Sequence, residues 1–210
     1  MGLHLLLFIG FLGSGKTTLV IRLAEHLLPK GLKVAILVNE IGEIGIDNQL
    51  MKQLDFNVWE LLNGCICCTL SADLVTSLEK LDREYQPDLV IIEPSGAADP
   101  RSIHKALPYY HGTAFEDITT AAVVDPLRIE MLLEVMSPLV TAQIANANVL
   151  LITKTDLATP AELAQAQSAC AELNPQAPVI LIAPSTLIEN FAREVLPWLC
   201  LLYTSDAADE

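Results

Sequence analysis

The chain has 210 residues, of which 52% are hydrophobic and 18% charged, and its formal charge at pH 7 is −14. That length supports one sizeable domain with a continuous core. The acidic balance excludes non-specific attraction to nucleic acid or to anionic membrane surfaces, because both are polyanions. Any phosphate binding must therefore be local, through backbone amides and one or two lysines.

The first element is an apolar run at 3–9, which reads as a short buried strand. The N-terminal stretch to Phe11 has neither a basic leader region nor a small-residue cleavage site, and Lys16 interrupts it before it could span a bilayer. With three of the five cysteines clustered, this predicts a cytoplasmic protein whose thiols bind metal rather than pair.

Gly10-Phe-Leu-Gly13-Ser14-Gly15-Lys16-Thr17 follows the strand and fits the phosphate-loop pattern. Its glycines let successive N–H groups turn toward phosphate oxygens, and the helix N-terminus adds its dipole. Lys16 is expected on the β- and γ-phosphates, the Thr17 hydroxyl on Mg²⁺, and Gly13 through Thr18 around the nucleotide. The helix behind the loop is predicted over 15–28, with Leu19, Leu23 and Leu27 on one face and Pro29 and Gly31 ending it.

A strand at 34–38 leads into 38–47, by itself an acidic loop punctuated by glycine. A weaker strand candidate at 56–61 precedes Gly64-Cys65-Ile66-Cys67-Cys68, three thiols within four residues. Thiolates suit Zn²⁺, or Co²⁺ and Cu⁺ given supply, better than Mg²⁺ or Ca²⁺. Packed or redox-active thiols are the alternative. A helix over 71–85 and a strand over 89–93 follow. This strand delivers Glu93 beside the nucleotide's Mg²⁺, and Gly96 of Glu93-Pro-Ser-Gly96 lets a backbone N–H approach the γ-phosphate.

Further strands are predicted at 119–124, 149–153 and 179–182, with helices over 126–136 and 160–173, the last capped by Thr159 with Pro160 at its first position. Thr153-Lys154-Thr155-Asp156 looks like the base-reading motif of GTPases, usually Asn-Lys-x-Asp. The Asp156 carboxylate can accept from N1–H and the 2-amino group of guanine, whereas adenine offers no matching donor pair. Lys154 could lie along the base and brace the phosphate loop; Thr153 in place of Asn is expected to weaken that bracing. Ala183-Pro184-Ser185 could complete the base pocket. Alternating strand and helix predicts an α/β fold, a doubly wound, mostly parallel sheet flanked by helices with ligands at the carboxyl ends of the strands. The domain covers 1–199. Residues 200–210 read as the translation of a sequencing adapter appended to a frame cut near Leu199, with a disordered terminus as the alternative.

The ordered motifs at 10–17, 38–47 (Val-Asn-Glu-Ile-Gly-Glu-Ile-Gly-Ile-Asp), 63–68 (Asn-Gly-Cys-Ile-Cys-Cys), 92–96 (Ile-Glu-Pro-Ser-Gly) and 153–156 make the chain resemble the CobW family of GTPases. That family includes zinc-regulated metallochaperones and nitrile hydratase activators. The resemblance implies GTP hydrolysis with Mg²⁺, a Zn²⁺ (or Co²⁺) cargo and a client apo-metalloprotein. It makes 38–47 a switch segment near the γ-phosphate, with Glu43 as the candidate fourth ligand beside Cys65, Cys67 and Cys68, and with Asp47 orienting the attacking water. It also implies a smaller C-terminal domain, expected to be missing here because the frame is read as cut near Leu199. His4, His26, His104 and His111 match no family motif and are expected to be structural or exposed. Homodimerisation is left open. So are two other classes: a small-molecule kinase using ATP, and a non-catalytic metal store or redox sensor.

Overall fold

The computed structural model describes residues 2–38, 57–60 and 70–197. Strand β1 (Leu3–Ile9) is buried along its whole length. Its side chains alternate between two cores, as the two-residue period of a strand requires. Leu3, Leu5, Leu7 and Ile9 enter one hydrophobic cluster, and Leu6 and Phe8 enter the other. Helix α1 (Lys16–Leu27) lays Leu19, Val20, Leu23, Ala24 and Leu27 on the second cluster. A single 3₁₀ turn (Leu28–Lys30) closed at Gly31 ends it. Then come β2 (Val34–Val38), β3 (Asn57–Glu60), α2 (Leu70–Tyr85) and β4 (Leu89–Glu93).

The second half runs through α3 (Pro100–Ala106), β5 (Phe115–Val124), α4 (Ile129–Val135) and α5 (Ser137–Ala145). It ends with β6 (Val149–Ile152), α6 (Pro160–Leu173), β7 (Val179–Leu181) and α7 (Ile188–Val195). The seven strands form one sheet in the order β3-β2-β4-β1-β5-β6-β7. Every pairing recorded is parallel. Helices α1 and α7 cover one face, and α2 to α6 pack on the other. The sheet is therefore doubly wound, and a crevice opens at the carboxyl end of β1, where the connection leaving β1 crosses one way to β2 and the connection leaving β4 crosses the other way to β5.

Two predicted elements differ clearly from the structure. β5 starts at Phe115, four residues before the predicted strand, and pairs with β1 from Leu3 onward. The predicted helix over 126–136 does not form as one unit. Asp125 accepts from Leu127 N through its side chain and from Arg128 N through its carbonyl, making a turn, so α4 begins only at Ile129. Pro138 then bars continuation past Met136, because its ring lacks an N–H and crowds the preceding turn; a separate helix, α5, starts at Ser137. By contrast, the expected start of α6 forms a full capping box between Thr159 and Glu162. The tail at 200–210, the expected switch segment at 39–47 and the thiols at 65–68 lie outside the described residues.

Candidate nucleotide site

The loop between β1 and α1 stands at that crevice. Gly15 precedes α1 with φ +94°, in the left-handed region where a side chain would be strained, and no side chain caps the helix. The first N–H groups of α1 are therefore available to an anion. The Lys16 side chain folds back over the loop, only 6% exposed, and its Nζ donates to Phe11 O at 3.2 Å. The Thr17 hydroxyl donates to Glu93 Oε1 at 2.7 Å, joining the start of α1 to the end of β4 across 76 residues of sequence. A hydroxyl and a carboxylate meeting there are hard oxygen donors of the kind Mg²⁺ takes. Thr18 is exposed on the first turn of the helix.

Gly96 lies against the same loop. A Cβ added to it would stand 2.5 Å from Leu12 N and 3.0 Å from Leu12 Cα, so only glycine permits this approach. Across the crevice, the loop after β6 supplies two further contacts. Thr153 Oγ1 donates to Ser14 O at 2.7 Å, and Lys154 Nζ donates to Gly13 O at 2.7 Å. Thr153 in place of Asn still braces the loop, because its short branched side chain is buried and its hydroxyl reaches the carbonyl directly. Lys154 itself has φ +54°, a conformation rare for a residue with a side chain, and the two bonds of its Nζ hold it there. Asp156 is exposed beyond it, near the loop after β7, to which Thr155 N is tied through Ile182 O at 3.4 Å.

Three residues of the site carry no motif. Asp125, 4% exposed at the end of β5, pairs with Lys154 Nζ at 2.6 Å and so sets where that lysine points. Arg128 Nη1 donates to Leu12 O at 2.9 Å. Gln143, buried in α5, donates to both Gly96 O and Ala98 O at 3.1 Å, fixing the turn that follows Glu93. The only sequence signal for them is position: a carboxylate ending a strand, and a lone amide inside an apolar helix.

Among the described residues no three His, Cys, Asp or Glu come together as a metal site. The proposed ligands Cys65, Cys67, Cys68 and Glu43, and the water-orienting Asp47, lie outside those residues. Cys170 is buried in α6, where burial pushes its thiol up to about 11, so it is no thiolate donor. His4, His26 and His104 are structural: each is shielded from solvent and held below the usual imidazole value by burial. His111 is exposed.

A glycine-bearing loop at the switch point of a parallel sheet, with a lysine and a threonine at the following helix start, defines a phosphate-loop nucleotide-binding domain. The family model for the CobW/HypB/UreG nucleotide-binding domain matches residues 4–181. The chain belongs to that family. It is 35% identical over 157 residues to the zinc chaperone YeiR of Escherichia coli, covering 73% of this chain and 47% of YeiR. It is 33% identical over 186 residues to the zinc chaperone YjiA of the same organism, covering 84% of this chain and 56% of YjiA. The chain thus spans about half the length of these relatives. Among solved structures, a Zn(II)-bound triple mutant of the YjiA GTPase from E. coli superposes with TM-score 0.64 at 26% identity, over 89% of this chain and 60% of that one. The hydrogenase maturation factor HypB of Archaeoglobus fulgidus shares the fold, with TM-score 0.70 at 17% identity over 94% and 91% of the two chains. Among the described residues no helix is long and apolar enough to cross a membrane.

Proposed function

We propose that the chain binds GTP, hydrolyses it to GDP and phosphate, and thereby controls its grip on a Zn²⁺ (or Co²⁺) cargo destined for a client apo-metalloprotein in the cytoplasm. The observation that carries the reading is the convergence of Lys16, Thr17, Glu93 and Lys154 on one loop. Relatives named as zinc chaperones and as zinc-regulated GTPase metalloprotein activators support the cargo.

In this reading the N–H groups of 13–18 cradle the β- and γ-phosphates, and Lys16 exchanges the Phe11 carbonyl for phosphate oxygens. Thr17 and Glu93 would hold Mg²⁺, which when bound supplies counter-charge to those oxygens. Gly96 would offer its N–H to the γ-phosphate. The Asp156 carboxylate selects guanine by accepting from the N1–H and 2-amino donors of the base, with Lys154 held in place by Asp125. Asp47 orients the attacking water, and Glu43 joins Cys65, Cys67 and Cys68 as metal ligands when the γ-phosphate orders the switch segment; these roles rest on residue type and family resemblance.

If GTP tightens metal binding, metal must tighten GTP binding by the same factor, typically about 5–150-fold. The test is Zn²⁺ affinity measured with GDP and again with a non-hydrolysable GTP analogue. Equal affinities in the two states sink the coupling. Competition by ATP as effective as that by GTP, undisturbed by Asp156→Ala, would instead favour the kinase class.

A further inference from the structure

Arg128 is the one arginine among the described residues whose hydrogen bond reaches the phosphate loop. Its guanidinium lies over three consecutive loop residues. It donates to Leu12 O at 2.9 Å, stands 5.8 Å from the centre of the Phe11 ring, and its Nη1 would be 3.4 Å from a Cβ on Gly13. The site itself identifies which end of the loop this is. Thr153 and Lys154, on the base-reading side, hold Ser14 O and Gly13 O. Gly96, which follows the Thr17-paired Glu93, presses on Leu12. Leu12 is thus the point where the γ-phosphate side of the crevice meets the loop, and Arg128 is anchored there.

The arginine's backbone is locked in a turn, while its side chain is held by a bond that a phosphate can replace. Arg128 N donates to Asp125 O at 3.1 Å, and Asp125 is itself locked to Lys154. The guanidinium by contrast makes a single exposed hydrogen bond to a neutral carbonyl. A phosphate oxygen is the stronger acceptor, since it brings a negative charge to the guanidinium where the carbonyl brings only a dipole. Guanidinium geometry also offers further donors to two oxygens at once.

We propose that Arg128 is a catalytic residue supplied in cis. When the triphosphate occupies the loop, its guanidinium leaves Leu12 O for the γ-phosphate and the β–γ bridging oxygen. This rests on the GTPase reading above. In the step it assists, water oxygen forms a bond to the γ-phosphorus while the bond from that phosphorus to the bridging oxygen breaks. The electron pair of the broken bond stays on GDP, the water protons pass to the released phosphate and solvent, and Arg128 keeps its own proton throughout. Its contribution is positive charge placed where negative charge builds up on the transferring group.

The test compares the unaltered chain with Arg128→Ala and Arg128→Lys. It measures single-turnover hydrolysis at saturating GTP, affinity for GDP, and affinity for GDP with aluminium fluoride, a mimic of the transferring phosphoryl group. The expected result is a rate lower by about 10³-fold in Arg128→Ala, with little recovery in Arg128→Lys, since a point charge cannot replace the planar fork. GDP affinity stays unchanged while the aluminium fluoride complex is lost. A mere brace for the loop gives the reverse, with GDP affinity and melting temperature falling but turnover at saturation kept, and that result overturns the proposal. If the unaltered chain hydrolyses GTP and Arg128→Ala does so equally well, only the role of Arg128 falls. If the unaltered chain neither binds nor hydrolyses GTP, the GTPase reading falls and takes this role with it.

Discussion

Four consecutive carbonyls of the phosphate loop each accept a hydrogen bond from a different side chain. Phe11 O takes Lys16, Leu12 O takes Arg128, Gly13 O takes Lys154 and Ser14 O takes Thr153. These bonds fix the backbone of the loop; Ser14 N itself donates to Phe11 O at 3.2 Å, and in the proposed function the other N–H groups of the loop and Lys16 would receive the phosphates inside a chain of charge −14. Thr153 shows how far a single hydroxyl matters. It is buried and bonds to Ser14 O as well as to Val124 O at 3.2 Å. Thr153→Val keeps the shape but leaves a buried acceptor short of a donor. It should lower unfolding free energy by about 1–2 kcal/mol, read from urea midpoints at constant slope. An unchanged midpoint would mean that the contact is idle.

Elements place these residues at their meeting point by ending together. β1, β4, β5 and β6 release their chains on the same edge of the sheet, so the loop 10–17, the turn after Glu93, Asp125 and Thr153 become neighbours. The turn 93–98 is clamped from both sides, by Gln143 on α5 and by the close approach of Gly96 to Leu12. Gly96→Ala forces a methyl into backbone atoms that have no rotamer to change. It should cost about 1–3 kcal/mol of nucleotide binding or of stability, measured by titration calorimetry and by thermal melts. Normal values in both would show that the turn yields freely. Strands β1, β2 and β4 have the bounds their apolar runs predict, because buried parallel strands are continuous apolar segments. Helices α3, α5 and α7 carry no such signal. α3 has only seven residues, and α5 buries Val140, Ala142, Gln143 and Ile144 on more than one face, so no single stripe marks it. α7 buries Phe191, Ala192 and Val195 in a clear stripe, but within only eight residues.

Across the whole molecule, His4 on β1, His26 on α1 and His104 on α3 share one electrostatic condition. Burial lowers each below the ordinary value of 6.5, outweighing Glu116 beside His4 and Glu189 beside His26. Between that value and the lower native one, the unfolded chain binds more protons than the folded chain, so stability rises with pH across the window and is lost as pH falls below about 6.5. Asp99 and Glu162 titrate lower still, held below the usual carboxylate range by hydrogen bonds from Arg101 and Thr159. They therefore stay charged at pH 5.5. Denaturant midpoints should fall between pH 7.5 and 5.5, and His104→Gln, which can keep the bond to Thr120, should flatten that fall. A slope identical to the unaltered chain would assign the effect elsewhere.

The amino-acid sequence alone determined the doubly wound parallel class, the phosphate loop with its lysine and threonine, and the family. These depend on short-range features: apolar runs, a glycine spacing within eight residues, and a cap at Thr159. Tertiary structure decided which motifs share a site and through which atoms. Thr17 meets Glu93 across 76 residues, Thr153 meets Ser14 across 139, and Lys154 meets Gly13 across 141. No local pattern encodes such contacts, because they follow from the order in which strands pair. The same ordering brought in Asp125, Arg128 and Gln143, residues whose type and surroundings in the chain are ordinary until β5, α4 and α5 are packed beside the loop.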